Sequence, residues 1–306
     1  MTFPQRHFFA LALLILCLSF ASAQPNEVRV GSYLLNVGNY DPSIGSYDIS
    51  FYLWMKWDPT IEDFTAEGFE FTNGKEYTLT EIDKKPGYVF YRVDGSFFKS
   101  IDMTYFPFDS HEISFELEDQ LLTNKDLVYV PDLEEKTSIN PNISILGWKE
   151  KSTTSEISET YYDSWNETYS RYAHKIIVTR PLMDSIKVFL PIIFLSIIGF
   201  LTFLISPKLF SERISVSVFN FMAAVAYQIQ VNVTIPPLGF FTLADKAMLA
   251  LYTGIVLSTA YTIYIQWYEE KRNATIAKNV NTFAKLSYFA IQIVIFLGIV
   301  CLDLIF

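Results

Sequence analysis

The stretch that decides the fold reads DMTYFPFD and covers residues 102–109. It holds a proline between two aromatic residues and ends on an acid, a composition typical of a tight turn. Apolar and polar residues alternate on both sides of it, at 88–93 and at 111–117. Such alternation predicts β-strands with one buried face. We therefore interpret residues 102–109 as a turn that joins two strands.

The remainder of the first half of the chain is also typical of strands. A further alternating run covers residues 50–57. Turn signals recur at short intervals, at residues 73–74, 85–87, 94–95 and 131–132. Many short strands at such spacing favour two packed sheets. We predict an all-β sandwich over residues 24–180.

The second half of the chain holds four apolar spans. They cover residues 183–205, 214–235, 243–267 and 283–306. Each is long enough to cross about 30 Å of hydrocarbon as a helix. The hydrophobic fraction of 51% is also high for a soluble protein of 306 residues. We predict an all-α four-helix transmembrane domain over residues 181–306, and hence the lipid bilayer as a partner.

The amino terminus has the pattern of a secretory signal. Basic Arg6 precedes an apolar run at 8–20, and Ala21-Ser22-Ala23 follows as a small-residue cleavage pattern. A first membrane helix is the alternative, but the apolar run is short for it. We predict a signal peptide over residues 1–23, and therefore an extracellular or periplasmic domain after it. Basic residues in the connections at 206–213 and 268–282 favour the cytoplasmic side, which agrees with a multi-pass protein of the plasma or inner membrane.

Composition and motifs exclude several classes of function. The net charge is −10, and acidic residues outnumber basic ones over residues 24–180, whereas nucleic-acid binding needs basic patches. The three histidines have no zinc-ligand spacing. The sequence has neither a glycine-rich phosphate loop nor a nucleophile elbow. We therefore expect no nucleic acid, no metal, no cofactor and no enzyme activity.

The second span differs from the other three in its polarity. Six polar residues lie along it: Ser215, Ser217, Asn220, Gln228, Gln230 and Asn232. Polar side chains at membrane depth must face protein or water. Two interpretations remain open, a helix that lines a pore and a helix that hydrogen-bonds its neighbours within a bundle.

These features together resemble the pentameric ligand-gated ion channels, the Cys-loop receptor superfamily. The resemblance covers nearly the whole chain after the signal and is strongest in three places: the turn at 105–109, Arg180-Pro181 before the first span, and Phe210-Ser211-Glu212-Arg213 at the start of the second, which Pro236 closes. The family brackets its turn with two cysteines, and Lys99 and Ile113 stand at those positions. Because it lacks this disulfide, the chain resembles the prokaryotic type of channel.

The resemblance implies that five identical subunits surround a central pore. Helical spacing places one set of residues on a single face of the second span: Ser215, Phe219, Met222, Ala226, Ile229 and Val233. This face matches the pore-lining register of the family. Hydrophobic rings can close a pore by dewetting, so Phe219, Met222 and Ile229 are gate candidates. The alternative is an apolar stripe that packs on the first and third spans.

Glu212 is the predicted selectivity residue. In a pentamer it would form a ring of five carboxylates, and acidic rings select cations. Permeant monovalent cations are therefore expected. The alternative for Glu212 is an exposed acid stabilised by the dipole at a helix start.

The resemblance also places a coupling junction between the two domains. It assigns to that junction Phe106, Pro107, Phe108, Asp109, Arg180 and Pro236, the link at 236–240 and a turn at 36–40. Arg180 is expected to pair with Asp109. The alternative is a surface ion pair worth well under ~1 kcal/mol.

A ligand site between subunits is the last implication. The residues carried over to it are Trp54, Trp57, Glu118, Gln120, Tyr162, Trp165 and Tyr169. Aromatic boxes suit ammonium ligands through cation–π attraction, so an amine is one candidate for the small-molecule agonist, with Glu118 as its counter-charge. The alternative is that these aromatic residues only pack.

The sequence thus predicts a homopentameric, cation-selective ligand-gated channel. Three alternatives stay open. His111 and the acidic ectodomain could instead sense protons, since histidine titrates near neutrality. The chain could also be a non-conducting membrane sensor or adhesion protein. A membrane-tethered enzyme is the third, without any catalytic cluster to support it.

Overall fold

The computed structural model describes residues 24–61, 64–233, 235, 237–271 and 273–302. The predicted signal peptide at 1–23 and the coupling residue Pro236 lie outside the described residues.

Ten strands fill the first half of the described chain. They are β1 (Asn26–Asp41), β2 (Ser46–Lys56), β3 (Phe69–Phe71), β4 (Gly74–Lys85), β5 (Tyr88–Phe98), β6 (Ser110–Asp119), β7 (Leu127–Pro131), β8 (Ser138–Ile139), β9 (Lys149–Tyr162) and β10 (Glu167–Thr179). The three alternating runs seen in the sequence correspond to β2, β5 and β6. Alternation therefore identified these strands correctly.

The strands form two sheets that pack face to face. One sheet has the order β4-β5-β2-β1-β7, with β8 paired to β1, and the other has the order β3-β6-β10-β9. Phe51 of β2 and Phe115 of β6 stack across the interface, with ring centroids 3.8 Å apart. Phe71 and Phe97 pack around them. The inward residues of both sheets bury one core, which confirms the predicted β-sandwich.

Four helices follow the sandwich. They are α1 (Leu182–Leu201), which continues into a 3₁₀ turn at Thr202–Leu204, α2 (Phe210–Val233), α3 (Leu243–Glu270) and α4 (Ala274–Leu302). All four are long and apolar enough to cross a membrane. The described chain therefore has the predicted architecture, a β-sandwich followed by four membrane-spanning helices, and is a multi-pass membrane protein.

Among the helix starts, two differ from the predicted ones by more than one residue. α4 begins at Ala274 rather than at residue 283, and α2 begins at Phe210 rather than at residue 214. In α4 the additional turns bury Ala277 and Asn281 against the bundle. These turns are amphipathic, so their polar residues interrupt the apolar run without ending the helix.

Candidate functional site

The turn at residues 102–109 lies where the sandwich meets the helices. Met103 and Phe106 are buried in a cluster with Val231 of α2 and Ala244 of α3, and Val188 of α1 packs against it. The Phe106–Pro107 peptide bond is cis. One turn of the sandwich therefore contacts three membrane helices.

Backbone hydrogen bonds fix this turn to the start of α3. The amide of Leu243 donates to the carbonyl of Thr104 at 3.0 Å, and the amide of Ala244 donates to the carbonyl of Phe106 at 3.1 Å. The first backbone amides of a helix lack carbonyl partners within the helix, and the turn supplies such partners for two of these amides. Thr242 and Asp245 form a reciprocal capping box that satisfies others. The turn thus satisfies backbone amides at the start of α3, and α3 fixes two carbonyls of the turn.

Contacts with α1 fix the other side of the turn. The hydroxyl of Ser185 donates to the carbonyl of Pro107 at 2.5 Å. The rings of Phe108 and Phe189 stack with centroids 5.6 Å apart. A displacement of the turn would therefore act on α1 and α3 together.

Asp109 ends the turn and holds the predicted ion pair. Nε and one terminal nitrogen of Arg180 donate to its two oxygens at 2.7 and 2.9 Å, and Nε2 of His111 lies 2.6 Å from Oδ2. Burial raises the pKa of Asp109, but the hydrogen bonds and charges of Arg180 and His111 outweigh it and hold the pKa well below its usual range. The Asp109 side chain is only 1% exposed, so the alternative of a surface ion pair is wrong.

Aromatic rings surround the Arg180 guanidinium. It lies 5.0 Å from the ring centroid of Phe106 and 4.6 Å from that of Trp148. Trp148 in turn contacts His111 and Tyr40, with centroids 4.9 and 5.2 Å apart. Cation–π attraction thus adds to the ion pair. Sequence reasoning missed Trp148, because it lies in a loop far along the chain from Asp109.

The segment at 36–40 is not the predicted turn. It belongs to β1, whose register shifts between Leu34 and Asn36 and again between Gly38 and Asp41. The turn itself covers residues 42–45. The irregular end of β1 still brings Tyr40 to the junction, where it packs against Trp148.

The predicted pore residues share the exposed face of α2. Phe219, Met222 and Ile229 are 70%, 61% and 62% exposed, and Ser215 and Ala226 are also exposed. Within the subunit these residues do not pack on α1 or α3, contrary to the alternative interpretation. The opposite face buries Ser217, Asn220, Ala224 and Val231.

The polar residues of α2 divide between the two faces. The side-chain amide of Asn220 donates to the backbone carbonyl of Leu195 in α1 at 3.1 Å. The hydroxyl of Tyr252 in α3 donates to Oε1 of Gln228 at 2.6 Å. These two residues hydrogen-bond neighbouring helices, as one interpretation predicted. Ser215 instead lies on the exposed face, where it donates to the carbonyl of Ser211 at 2.8 Å.

The two charged residues at the start of α2 differ in burial. Glu212 is exposed, whereas Arg213 is only 1% exposed. Arg213 donates to the carbonyls of Phe203 and Ile205 after α1, and to the side chain of Asn281 in α4. The buried arginine therefore ties the start of α2 to the segment after α1 and to α4, while Glu212 lies exposed on the surface of the subunit.

Five of the seven predicted ligand residues line one open groove at the far end of the second sheet. They are Glu118, Gln120, Tyr162, Trp165 and Tyr169, and the groove has a volume of about 580 Å³. Glu70, Asp119 and Glu167 also line it and were missed. Glu70 lies on the three-residue strand β3, which is too short to give a periodic signal. The groove is thus both aromatic and acidic.

Glu118 is already paired inside this groove. Its Oε1 accepts from Nε of Arg171 at 2.6 Å, and its Oε2 accepts from the hydroxyl of Tyr162 at 2.8 Å. The cation beside Glu118 is therefore one of the chain's own residues. The rings of Trp165 and Tyr169 lie 5.3 and 5.7 Å from that of Tyr162.

Trp54 and Trp57 do not join this groove within one subunit. Both belong to the other sheet or its edge. Trp54 is buried and donates from Nε1 to Asp132 at 3.1 Å, and Trp57 packs against the sandwich core. Phe90 lies beside Trp54, with centroids 6.5 Å apart. These contacts agree with the interpretation that Trp54 and Trp57 pack, and a single chain does not test a site between subunits.

Compared with known proteins, the chain matches no protein-family model and no curated protein. Among the described residues, no three His, Cys, Asp or Glu side chains are grouped so that they could hold a metal ion. The fold and the junction define a class, a membrane protein of channel type in which a β-sandwich rests on four apolar helices.

Proposed function

We propose that the protein is a ligand-gated ion channel built from five identical subunits and selective for monovalent cations. The junction carries this proposal. A turn that completes the start of α3, bonds α1 and packs on α2 is suited to convert a movement of the sandwich into a movement of the helices.

Two strands connect the groove to the junction. β6 ends at the groove with Glu118 and begins next to Asp109, and β10 passes beside the groove and ends next to Arg180. The two strands pair in register from Arg171 opposite Glu118 to Thr179 opposite Ser110. A ligand in the groove would therefore act on both members of the Asp109–Arg180 pair.

The exposed face of α2 supports the pore assignment. In a ring of five subunits this face would meet its copies around the axis, with Phe219, Met222 and Ile229 as apolar rings that close by dewetting. Glu212 would form an acidic ring at the inner mouth, which favours cations.

The groove supports a cationic organic ligand, an amine. Its aromatic rings can bind ammonium groups through cation–π attraction. With Glu118 paired to Arg171 and Asp119 buried, the exposed carboxylates Glu70 and Glu167 would counter the ligand charge.

Currents across lipid bilayers test the proposal without a known agonist. We expect Phe219→Ala to conduct cations without ligand, because it removes a gate ring. Glu212→Gln in that background should shift the reversal potential in an asymmetric cation gradient. The matched control is Phe283→Ala, which removes the same side chain from an exposed position on α4, 59% exposed against 70% for Phe219, and should leave the bilayer silent. Silence of every variant in verified pentamers would favour the non-conducting sensor.

Proton gating is a second candidate, favoured by one contact. Nε2 of His111 lies 2.6 Å from Asp109 inside the junction. Nε2 of His111 and a terminal nitrogen of Arg180 share Oδ2 of Asp109, so a positively charged imidazole would compete with Arg180 for this oxygen. The test is to step the external pH from 8 to 4 over wild type and His111→Gln. A current in wild type only would support this candidate, and the absence of a current in both would dismiss it.

A further inference from the structure

Lys99 occupies the stem of the turn that couples the two domains. It directly follows β5, and its backbone amide donates to the carbonyl of Gly45 at 2.9 Å. The turn at 102–109 then leads to β6. Lys99 therefore stands at the point where the stem of the turn opens, a position that the resemblance assigns to a disulfide cysteine.

The Lys99 side chain crosses the stem to β6. Its ammonium lies 2.5 Å from Glu116 and 3.2 Å from Glu112. These groups are partly buried, since the Lys99 and Glu116 side chains are 34% and 11% exposed. Burial lowers the pKa of Lys99, but the two carboxylates outweigh it and raise the pKa above its usual value. Lys99 thus stays charged and joins two carboxylates that would otherwise repel each other.

A series of charged contacts continues from this point to the groove. The second oxygen of Glu116 accepts from Arg171 at 2.8 Å, and Arg171 also donates to Glu118 at 2.6 Å. Glu118 accepts from the groove residue Tyr162. The outer face of β6 therefore has a continuous ladder, Lys99–Glu116–Arg171–Glu118–Tyr162.

We propose that Lys99 is a positioning residue, an ionic clasp that closes the stem of the coupling turn without a covalent bond and links it through Glu116 and Arg171 to the groove. The importance of the clasp for gating rests on the proposed function, whereas its effect on the turn does not. An ionic clasp differs from a disulfide because the groove end of the ladder can loosen it. A ligand that displaced Tyr162 or Arg171 would change the partners left to Glu116, and so the hold on the stem.

Hydrogen exchange of the full-length protein in lipid nanodiscs tests the clasp without needing any current. We expect the amides of residues 102–109 to exchange about tenfold faster in Lys99→Met than in wild type, because a partly buried charge pair is lost. Lys99→Arg, which keeps the charge, should restore slow exchange. The matched control is Lys84→Met on β4, which loses an ion pair with Glu67 of 2.5 Å away from the stem. Equal exchange at 102–109 in Lys99→Met and Lys84→Met would overturn the proposal.

A double-mutant cycle tests the connection to the groove. Tyr162→Phe removes one hydroxyl from the ladder, and we expect it to speed exchange at 102–109 about twofold to threefold in wild type. The same change should have no effect in Lys99→Met, because the ladder is already broken there. Equal effects of Tyr162→Phe in both backgrounds would show that the ladder does not connect the groove to the turn at 102–109. If Lys99→Met fails to fold, Glu116→Gln takes its place in the cycle, because it removes the carboxylate that joins Lys99 to Arg171.

The outcomes separate the clasp from the proposed function. Fast exchange in Lys99→Met together with silent bilayers would keep the clasp and reject the channel. Cation currents together with wild-type exchange in Lys99→Met would keep the channel and reject the clasp.

Discussion

The two ends of β6 differ in how completely their charges are paired. At the junction, Asp109 is buried and accepts hydrogen bonds from Arg180 and His111. At the groove, Glu118 is paired with Arg171, whereas Glu70 and Glu167 lie exposed around an open volume. The same strand thus has a saturated end, where the carboxylate is fully paired beside the helices, and an unsaturated end, where exposed carboxylates face solvent.

The largest expected effect comes from breaking the saturated end. Asp109→Asn leaves the partly buried Arg180 without its counter-charge, and we expect the free energy of unfolding to fall by about 3 kcal/mol. Thermal or denaturant unfolding of the solubilised protein measures it. The control is Asp58→Asn, which removes an exposed acid whose side chain bonds only Thr60 and should leave the stability nearly unchanged. Similar losses in both variants would contradict the comparison.

Acid should destabilise the sandwich core at a higher pH than it destabilises the junction. Burial lowers the pKa of His174 to about 4, and its Nδ1 lies 2.8 Å from the hydroxyl of Ser32 between the sheets. The unfolded chain binds this proton near pH 6.5, so the stability from neutral His174 is complete above pH 6.5 and is lost as the pH falls toward 4. The pKa of Asp109 is lowered too, so its contribution is lost only below about pH 4.

Unfolding of wild type between pH 7 and pH 3 checks this order. We expect a loss of about 2 kcal/mol between pH 6.5 and pH 4, below the limit of about 3.4 kcal/mol that a lowering from 6.5 to about 4 sets at 1.36 kcal/mol per pKa unit. His174→Gln should remove this slope and leave the decline below pH 4. A slope that persists in His174→Gln would assign the sensitivity to another group.

The smallest effect on stability is expected at the unsaturated end. Trp165 is 65% exposed, so Trp165→Ala should change the free energy of unfolding by less than ~0.5 kcal/mol. The same variant should weaken the binding of tetramethylammonium about fivefold to tenfold, because one cation–π contact is lost. Calorimetric titration measures the affinity. Tyr161→Ala is the control, since Tyr161 lies on the same hairpin but does not line the groove, and equal affinities would remove Trp165 from the ligand site.

The periodicity of the sequence predicted the architecture. It did not predict contacts that depend on which residues of two paired strands lie opposite each other. The sandwich and the four helices follow from patterns that repeat every two residues or fill a membrane span. The Asp109–Arg180 pair was also predicted, because both residues belong to recognisable motifs. Arg171 was not, since its role depends on the register that sets it opposite Glu118. The start of α4 was missed for a related reason, because the polar Asn281 looks like the end of an apolar span until Arg213 is seen to bond it.

Glu212 and Arg213 sum to zero charge in the sequence, yet they do not cancel in space. The acid is exposed, while the guanidinium is directed at carbonyls of neighbouring helices. The entry of α2 is therefore an electric dipole that lies across the helix axis, negative toward solvent and positive toward the bundle. Salt screens charges over about 8 Å at physiological strength, so an ion passing close to Glu212 would feel the carboxylate before the arginine. A sequence that looks neutral at this point therefore has a negative surface.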